Sequence, residues 1–171
     1  MNIWRWIVRR TSSGDAEIGE ASVIVSPAIA ETLCDESERG LPGETGGVLV
    51  GHVDASGRTI ITAVIGPGPQ AMHSRSRFRR DGTYAQAQVD RLHALSDGRD
   101  DYVGEWHSHP DGGGPSGVDL DGMAWVGTNT RYSRNEPLLL IAERTRVVWR
   151  LRVFRWKQGQ LKEIQSAAKI S

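Results

Sequence analysis

The stretch Trp106-His107-Ser108-His109-Pro110-Asp111-Gly112-Gly113-Gly114-Pro115-Ser116-Gly117-Val118-Asp119 joins the end of one element to the start of the next. Tyr102 to Trp106 reads as a strand running into it. A helix from about Ser116 to Asn129 follows, with Met123 and Val126 on one side. At a strand end, residues i and i+2 project to the same face. His107 and His109 therefore aim at a common point. Glycine reaches backbone conformations closed to other residues, so Gly112-Gly113-Gly114 lets the chain fold back and bring Asp119 beside both imidazoles. Two histidine nitrogens and one carboxylate oxygen are zinc ligand types, and three protein ligands leave a fourth tetrahedral position for water. Zinc lowers the pKa of such a water to about 7. The expected cofactor is one Zn2+ with a bound water as nucleophile. An isolated His-x-His is more often two strand-end histidines near solvent, and Asp119 is what changes the reading.

Outward from this stretch, the chain alternates strand and helix signals. Trp4, Trp6 and Val8 alternate with Arg5 and Arg9, a strand period. Ala21 to Val25 is a second short strand. Ser26-Pro27 reads as an N-cap with proline at the first helical position. Ile29, Ala30, Leu33 and Cys34 then follow at helical spacing, and the helix ends near Gly40. Val48-Leu49-Val50 suits a buried strand, paired with Thr59 to Ile65. Gly66-Pro67-Gly68-Pro69 opens a loop that runs through Arg75, Arg77, Arg79 and Arg80. Asp81 can cap the next helix, whose apolar positions Ala85, Val89, Leu92 and Leu95 form one face. Asp97-Gly98 stops it. Pro137 to Ala142 and Val147 to Trp156 form a hairpin, with a terminal strand near Gln160 to Ile164. The order β-α-β-β-α-β-α-β-β predicts one α/β sandwich with a mixed sheet.

A chain of 171 residues is most simply one domain, long enough to bury a real core. With 38% hydrophobic and 25% charged residues its composition is that of a globular protein. Twenty-one basic and twenty-one acidic residues cancel, so no whole-chain field selects nucleic acid or an anionic membrane. One cysteine, Cys34, cannot form an internal disulfide and fits a reducing compartment. Arg5 interrupts the apolar N-terminus, and neither a signal peptide nor a transmembrane segment is read. The expected location is the cytoplasm.

Two further residues bear chemistry. Ser116-Gly117-Val118-Asp119 fits a helix capping box, and the Ser116 hydroxyl equally fits a donor to the oxyanion of a tetrahedral intermediate. Both readings stand. A hydrolytic site also needs a base for the water proton. Glu44, in Gly43-Glu44-Thr45-Gly46-Gly47 before an apolar strand, is one candidate, and Glu105 is the other. Glu105 shares a face with His107 and His109 but lies further back along the strand. A solvated loop is the ordinary fate of a residue like Glu44. Cys34 sits on an apolar helix face and reads as core. The arginine run reads as a solvated loop, with a rim for an acidic substrate as its functional alternative. Trp4, Trp6, Trp149 and Trp156 read as core or interface, and Trp125 as core or cleft wall. His52, His73 and His93 have no partner spacing. No His-Glu-x-x-His helix and no Cys-x-x-Cys occurs.

Glu44, His107-Ser108-His109-Pro110 and Ser116-Gly117-Val118-Asp119 together resemble the JAMM (JAB/MPN) metalloprotease family, whose pattern is a glutamate before a strand, His-x-His-Pro, then Ser-x-x-Asp. The resemblance extends in element order from about residue 20 to 145. It implies a single JAB/MPN domain over residues 1–171, a cytidine-deaminase-like sandwich with a mixed sheet flanked by helices. It implies Glu44 as general base, His107, His109 and Asp119 as zinc ligands, and Ser116 as oxyanion donor. It also implies a zinc isopeptidase acting after the C-terminal tail of a ubiquitin-like protein. Glu44-Thr45-Gly46-Gly47-Val48-Leu49-Val50-Gly51 and Gly104-Glu105-Trp106-His107 are similar to bacterial JAB-type proteins of antiviral defence systems. E1-like and E2-like proteins are the partners implied there. The alternatives are a metal-free MPN-type scaffold that binds partners, and a zinc hydrolase of the same fold acting on small peptides. In one respect the chain departs from the family: Pro110 to Pro115 places six residues between His109 and Ser116, one fewer than is common.

Overall fold

A computed structural model describes residues 23–129, 132, 136–164 and 166–168. The strand read at Trp4 to Val8 lies outside the described residues. The elements in chain order are β1 (Val23–Val25), α1 (Pro27–Arg39), β2 (Gly46–Val53), β3 (Thr59–Ile65), β4 (Met72–His73) and β5 (Phe78–Arg79). They continue with α2 (Gly82–Leu95), β6 (Asp101–His109), α3 (Gly117–Thr128), β7 (Leu138–Thr145), β8 (Val148–Lys157), β9 (Gln160–Ile164) and β10 (Ser166–Ala168). The sequence order holds from β1 to β9. The difference is β4–β5, a short hairpin inside the segment read as a loop.

The main sheet runs β10-β1-β3-β2-β6-β7-β8-β9. β1–β3, β1–β10 and β6–β7 pair in parallel, and the other neighbours are antiparallel. One residue separates β9 from β10, yet they pair with opposite edges of the sheet. The sheet therefore curls until its two edge strands, β9 and β10, are joined by one residue of chain.

Alternation along the central strands distributes the core to both faces. Leu49, Trp106, Leu138 and Leu140 pack with Leu33 of α1. Val48 and Val50 face Ala85 and Val89 of α2, with Val126 of α3. Leu139 and Ile141 face Met123 of α3. A strand covered on both faces reads as a continuous apolar run, which is why Leu138 to Ala142 shows no alternation. The Trp106 indole N–H donates to the Ile65 carbonyl at 2.9 Å, satisfying its one polar group in the interior.

Local chemistry sets the helix starts. Ser26 Oγ accepts from Ile29 N at 3.2 Å, with Pro27 in the first turn. Asp81 Oδ1 accepts from Tyr84 N at 3.0 Å. In α2 the expected face is only partly realised: Ala85 and Val89 are buried, but Leu95 is 71% exposed. Ten residues separate Ala85 from Leu95, about 280° of helical rotation, so Leu95 falls some 80° off the stripe. Cys34 is half-buried. Burial, with help from Asp35, pushes its thiol up to about 12, the state of an inert packing residue.

The core assignment is checked by paired truncations. Leu140→Ala, at a fully buried position, is expected to cost about 2–5 kcal/mol. Leu95→Ala is expected to stay within about 0.5 kcal/mol of the parent. Urea unfolding of both variants reads the difference as a shift in midpoint.

Candidate metal centre

The site is built where β2 and β6 meet at one end of the sheet. Their antiparallel register sets Gly46 opposite His107 and Gly47 opposite Trp106. Carried two residues beyond the strand, the same register puts Thr45 opposite Ser108 and Glu44 opposite His109. Thr45 and Ser108 are both buried. Ser108 N donates to Thr45 O at 2.7 Å, and Thr45 N donates to Ser108 Oγ at 3.0 Å. Gly46 has no room for a side chain: a Cβ there would lie 2.4 Å from Trp106 O and 2.8 Å from His107 Cβ.

β6 carries His107 and His109 to one face, with Nε2 atoms 3.0 Å apart and ring planes tilted 40°. The chain then turns through Gly112 (φ 77°) and Gly113 (φ 101°), left-handed conformations that suit glycine. It re-enters at α3, where Ser116 and Asp119 form a reciprocal capping box. Asp119 Oδ1 lies 3.1 Å from His107 Nε2, and Oδ2 lies 3.6 Å from His109 Nε2. Among the described residues these three side chains form a group able to hold a metal ion.

Their donor set fits zinc. Tetrahedral bonds of about 2.0–2.1 Å to nitrogen and oxygen place ligand atoms roughly 3.3 Å from one another. His107 Nε2 lies 3.0 Å from His109 Nε2 and 3.1 Å from Asp119 Oδ1, close to that spacing, and one ligand atom from each of the three residues lies within 4.8 Å of the others. His109 Nδ1–H donates to Gly113 O at 3.1 Å, which leaves the Nε2 lone pair for the metal. Burial, together with the neighbouring His107, pulls the His109 imidazole below its ordinary value and so toward the neutral, ligating form. Burial also opposes the charge of Asp119, but His107 and the Ser116 amide outweigh it and hold the carboxyl well below the usual range.

Glu44, His107, Ser116 and Asp119 line one small cleft with Arg77 and Phe78 of the hairpin and Val118 of α3. Burial raises the Glu44 carboxyl; His107 opposes that shift, and Asp119 and Asp111 add to it. A raised carboxyl is suited to taking up a proton near neutral pH. Ser116 Oγ accepts from Asp119 N at 3.3 Å. That bond uses a lone pair, and the hydroxyl proton remains able to donate into the cleft. The cap and the cleft position coexist, as the two sequence readings allow.

Glu105 is placed elsewhere. It is buried in an ion pair with Arg80, and Tyr102 Oη donates to it at 3.0 Å. The arginine run is exposed at Arg75, Arg77 and Arg79, as the sequence reading has it, and turns inward only at Arg80. Arg80 is half-buried, Arg77 lines the cleft, and Arg75 makes an exposed pair with Asp111 at 3.3 Å. Arg80 turns inward to Glu105 and to the Tyr132 hydroxyl, while Phe78 tucks against Gly46 and His73. Trp125 departs from the core reading: it is 58% exposed, edge-on to Tyr132. Trp156 is buried, and Trp149 is half-buried with its N–H on Glu38.

Some contributors carried no recognisable sequence signal. His73 Nδ1 donates to Glu44 O at 2.9 Å, and Glu44 N donates to Ser74 O at 2.9 Å, so the hairpin holds the Glu44 backbone. Ser108 is the buried hydroxyl between the two histidines. The only hint of these roles was the position of Ser108 inside the motif.

The family model for prokaryotic homologs of the JAB domain matches residues 26–154. The chain belongs to this family. It is similar to a probable metalloprotease, y4qB, of Sinorhizobium fredii, 31% identical over 97 residues, 56% of this chain and 59% of that protein. It is also similar to CD-NTase/cGAS isopeptidases. The Enterobacter hormaechei protein is 32% identical over 123 residues, 70% of this chain and 66% of that one. The Escherichia coli protein is 31% identical over 107 residues, 62% and 65%. The chain spans less than two thirds of the length of each of these relatives. Among solved structures, protein DSY2949 of Desulfitobacterium hafniense has a similar fold, with a TM-score of 0.65 over 87% of this chain and 94% of that one at 17% identity.

Metal loading of the full chain is expected to give about one zinc ion per chain by elemental analysis after desalting. Asp119→Ala removes the carboxylate ligand, and its zinc content after the same desalting is expected to fall to a small fraction of the parent's.

Proposed function

We propose that this chain is a JAB-type zinc isopeptidase that hydrolyses the amide bond after the C-terminal tail of a ubiquitin-like protein, processing it or releasing it from a target in a bacterial defence system. The observation that carries this reading is the meeting of Glu44, Ser116, His107 and Asp119 in one cleft, with His109 grouped beside His107 and Asp119. Relatives named metalloprotease and CD-NTase/cGAS isopeptidase support it. His107, His109 and Asp119 hold the metal. Zinc, when bound, supplies Lewis acidity and makes water nucleophilic near neutral pH. Glu44 takes the proton of the attacking water and passes it to the leaving nitrogen as the carbon–nitrogen bond breaks. The products are a carboxylate on the tail and a free amine on the target. The Ser116 hydroxyl donates to the oxygen that gains negative charge as the carbonyl carbon becomes tetrahedral.

The hairpin and α3 form the two sides of the cleft. Phe78 on one side and Val118 on the other narrow it, which favours small residues beside the scissile bond. The exposed residues Met72 and His73 of β4 offer a strand edge on which an extended tail can add. E1-like and E2-like proteins of the same system are the partners in this reading. Its place of work is the cytoplasm, in keeping with a single thiol. No helix among the described residues is long and apolar enough to cross a membrane.

The decisive experiment combines metal analysis with cleavage of a ubiquitin-like protein fused through its C-terminus to a reporter. Stoichiometric zinc, with cleavage reduced about 10²–10⁴-fold in Glu44→Ala, is the expected result. Zinc without cleavage of any such fusion, but with hydrolysis of short peptides, would move the substrate to small peptides. A chain that takes up no metal would sink the hydrolase reading. Ser116→Ala separates the two duties of that residue. It is expected to lose about 1 kcal/mol of stability from the cap and about 10²–10³ in kcat from the missing donor. Unfolding and kinetics on the same preparation read both effects.

A further inference from the structure

The structure contains a brace for the glycine loop between His109 and Ser116 that no motif announces. β6 and β7 pair in parallel, and their register sets His109 directly beside Glu143. Glu143 Oε1 accepts from Gly113 N at 2.9 Å. Gly113 O in turn accepts from His109 Nδ1 at 3.1 Å. Both polar groups of one loop residue are thus spent between Glu143 and a metal-type ligand, and that residue stands at φ 101°.

Behind Glu143 the support continues. Arg152 of β8 lies 3.9 Å from Glu143 Oε1 and is itself fixed by two bonds to Glu163 of β9, at 2.9 and 2.6 Å. The loop lies close over Arg152: a Cβ on Gly114 would sit 3.1 Å from Nη1. Glu143 is half-buried, with 14% side-chain exposure, and its carboxylate points at the loop rather than at solvent. The Gly113 carbonyl, on the residue that Glu143 holds, accepts from the imidazole and favours the tautomer that carries its proton on Nδ1.

We propose that Glu143 is a positioning residue for the metal centre: by holding Gly113 it fixes the Nδ1–H bond of His109 and so keeps Nε2 of that ring directed at His107 and Asp119. The inference rests on the metal-centre reading above. It adds an outer carboxylate, supplied by β7 and relayed through a loop residue, to the three side chains named there. Outer hydrogen bonds of this kind orient ligating histidines, and their loss costs about 10–100-fold in metal affinity.

The test is zinc affinity of the full chain, measured by competition with a chromophoric chelator, on the parent, Glu143→Ala and Glu143→Gln. Glutamine keeps a carbonyl oxygen for Gly113 N. The expected result is affinity about 10–100-fold weaker in Glu143→Ala and within a few-fold of the parent in Glu143→Gln. Long-range proton–nitrogen spectra of the imidazoles are expected to show the His109 proton on Nδ1 in the parent and the glutamine variant, and a mixture in the alanine variant. Parent-like affinity in Glu143→Ala overturns the proposal, as does equal weakening in both variants. A parent chain that binds no zinc refutes the metal-centre reading instead. The inference about Glu143 then stands if the His109 tautomer changes in Glu143→Ala and falls if it does not.

Discussion

The arrangement of the site depends on how β2 is registered against β6. Glu44 and the two histidines are far apart in the chain, and nothing local brings them together. Their juxtaposition follows from an antiparallel pairing in which Gly46 stands opposite His107. A one-residue slip would turn every side chain of one strand to the other face of the sheet. It would take Val48 and Val50 away from α2 and bring Leu49 out of the packing around α1. The hydrophobic core therefore enforces the register, and the register places the glutamate. At the open end of the pairing, where no further strand residues are available, the two hydrogen bonds between Thr45 and Ser108 carry it on. The hairpin then holds the Glu44 backbone from the solvent side through His73 and Ser74.

The second placement problem is Asp119, which reaches the histidines by a loop rather than by a strand. Here the parallel β6–β7 pairing is the fixed reference. It sets Glu143 beside His109, and the loop is suspended from these two residues through Gly113. Six residues suffice because two of them, Gly112 and Gly113, adopt left-handed conformations that shorten the return path. The loop thus reaches Ser116 with both backbone groups of Gly113 hydrogen-bonded, and the capping box completes the turn into α3.

Much of this was legible in the sequence, for identifiable reasons. Ser26 and Asp81 announced the starts of α1 and α2, because caps are chosen by a local hydrogen bond that any reader can look for. The apolar run Val48-Leu49-Val50 announced a buried strand, and all three residues are buried in β2. The His-x-His and Ser-x-x-Asp spacings announced a shared face and a capped helix start. What stayed hidden depends on tertiary pairing. Choosing between Glu44 and Glu105 needs to know that Glu105 faces Arg80 and Tyr102 across the interior, and neither partner is near it at a diagnostic spacing. The β4–β5 hairpin was hidden because two-residue strands have no measurable period. His73 and Glu143 were hidden because each works through a backbone atom of a residue distant in sequence, and a contact to backbone leaves no pattern of residue types. Trp125 misled because aromatic residues are usually buried, whereas α3 turns this one outward.

Asp119 shows how folding and chemistry share one group. Its Oδ2 accepts from Ser116 N at 2.6 Å, closing the capping box, while Oδ1 faces His107 at 3.1 Å. The bond that starts α3 is thus also the bond that aims the carboxylate. A helix cap of this kind is worth about 1 kcal/mol, modest beside the free energy that a structural metal ion contributes when it binds. The two are nevertheless coupled in sign. A metal ion that draws on Asp119 favours the rotamer the cap requires, and a formed cap presents the carboxylate before any ion arrives. Ser116 gains from the same arrangement, since the residue that caps is held rigidly where a donor to the reacting carbonyl is needed. Placing both duties in one turn of helix makes the geometry of the site a property of the helix start. That is why the loop before it can be short and rich in glycine, provided that Glu143 and His109 hold it in place.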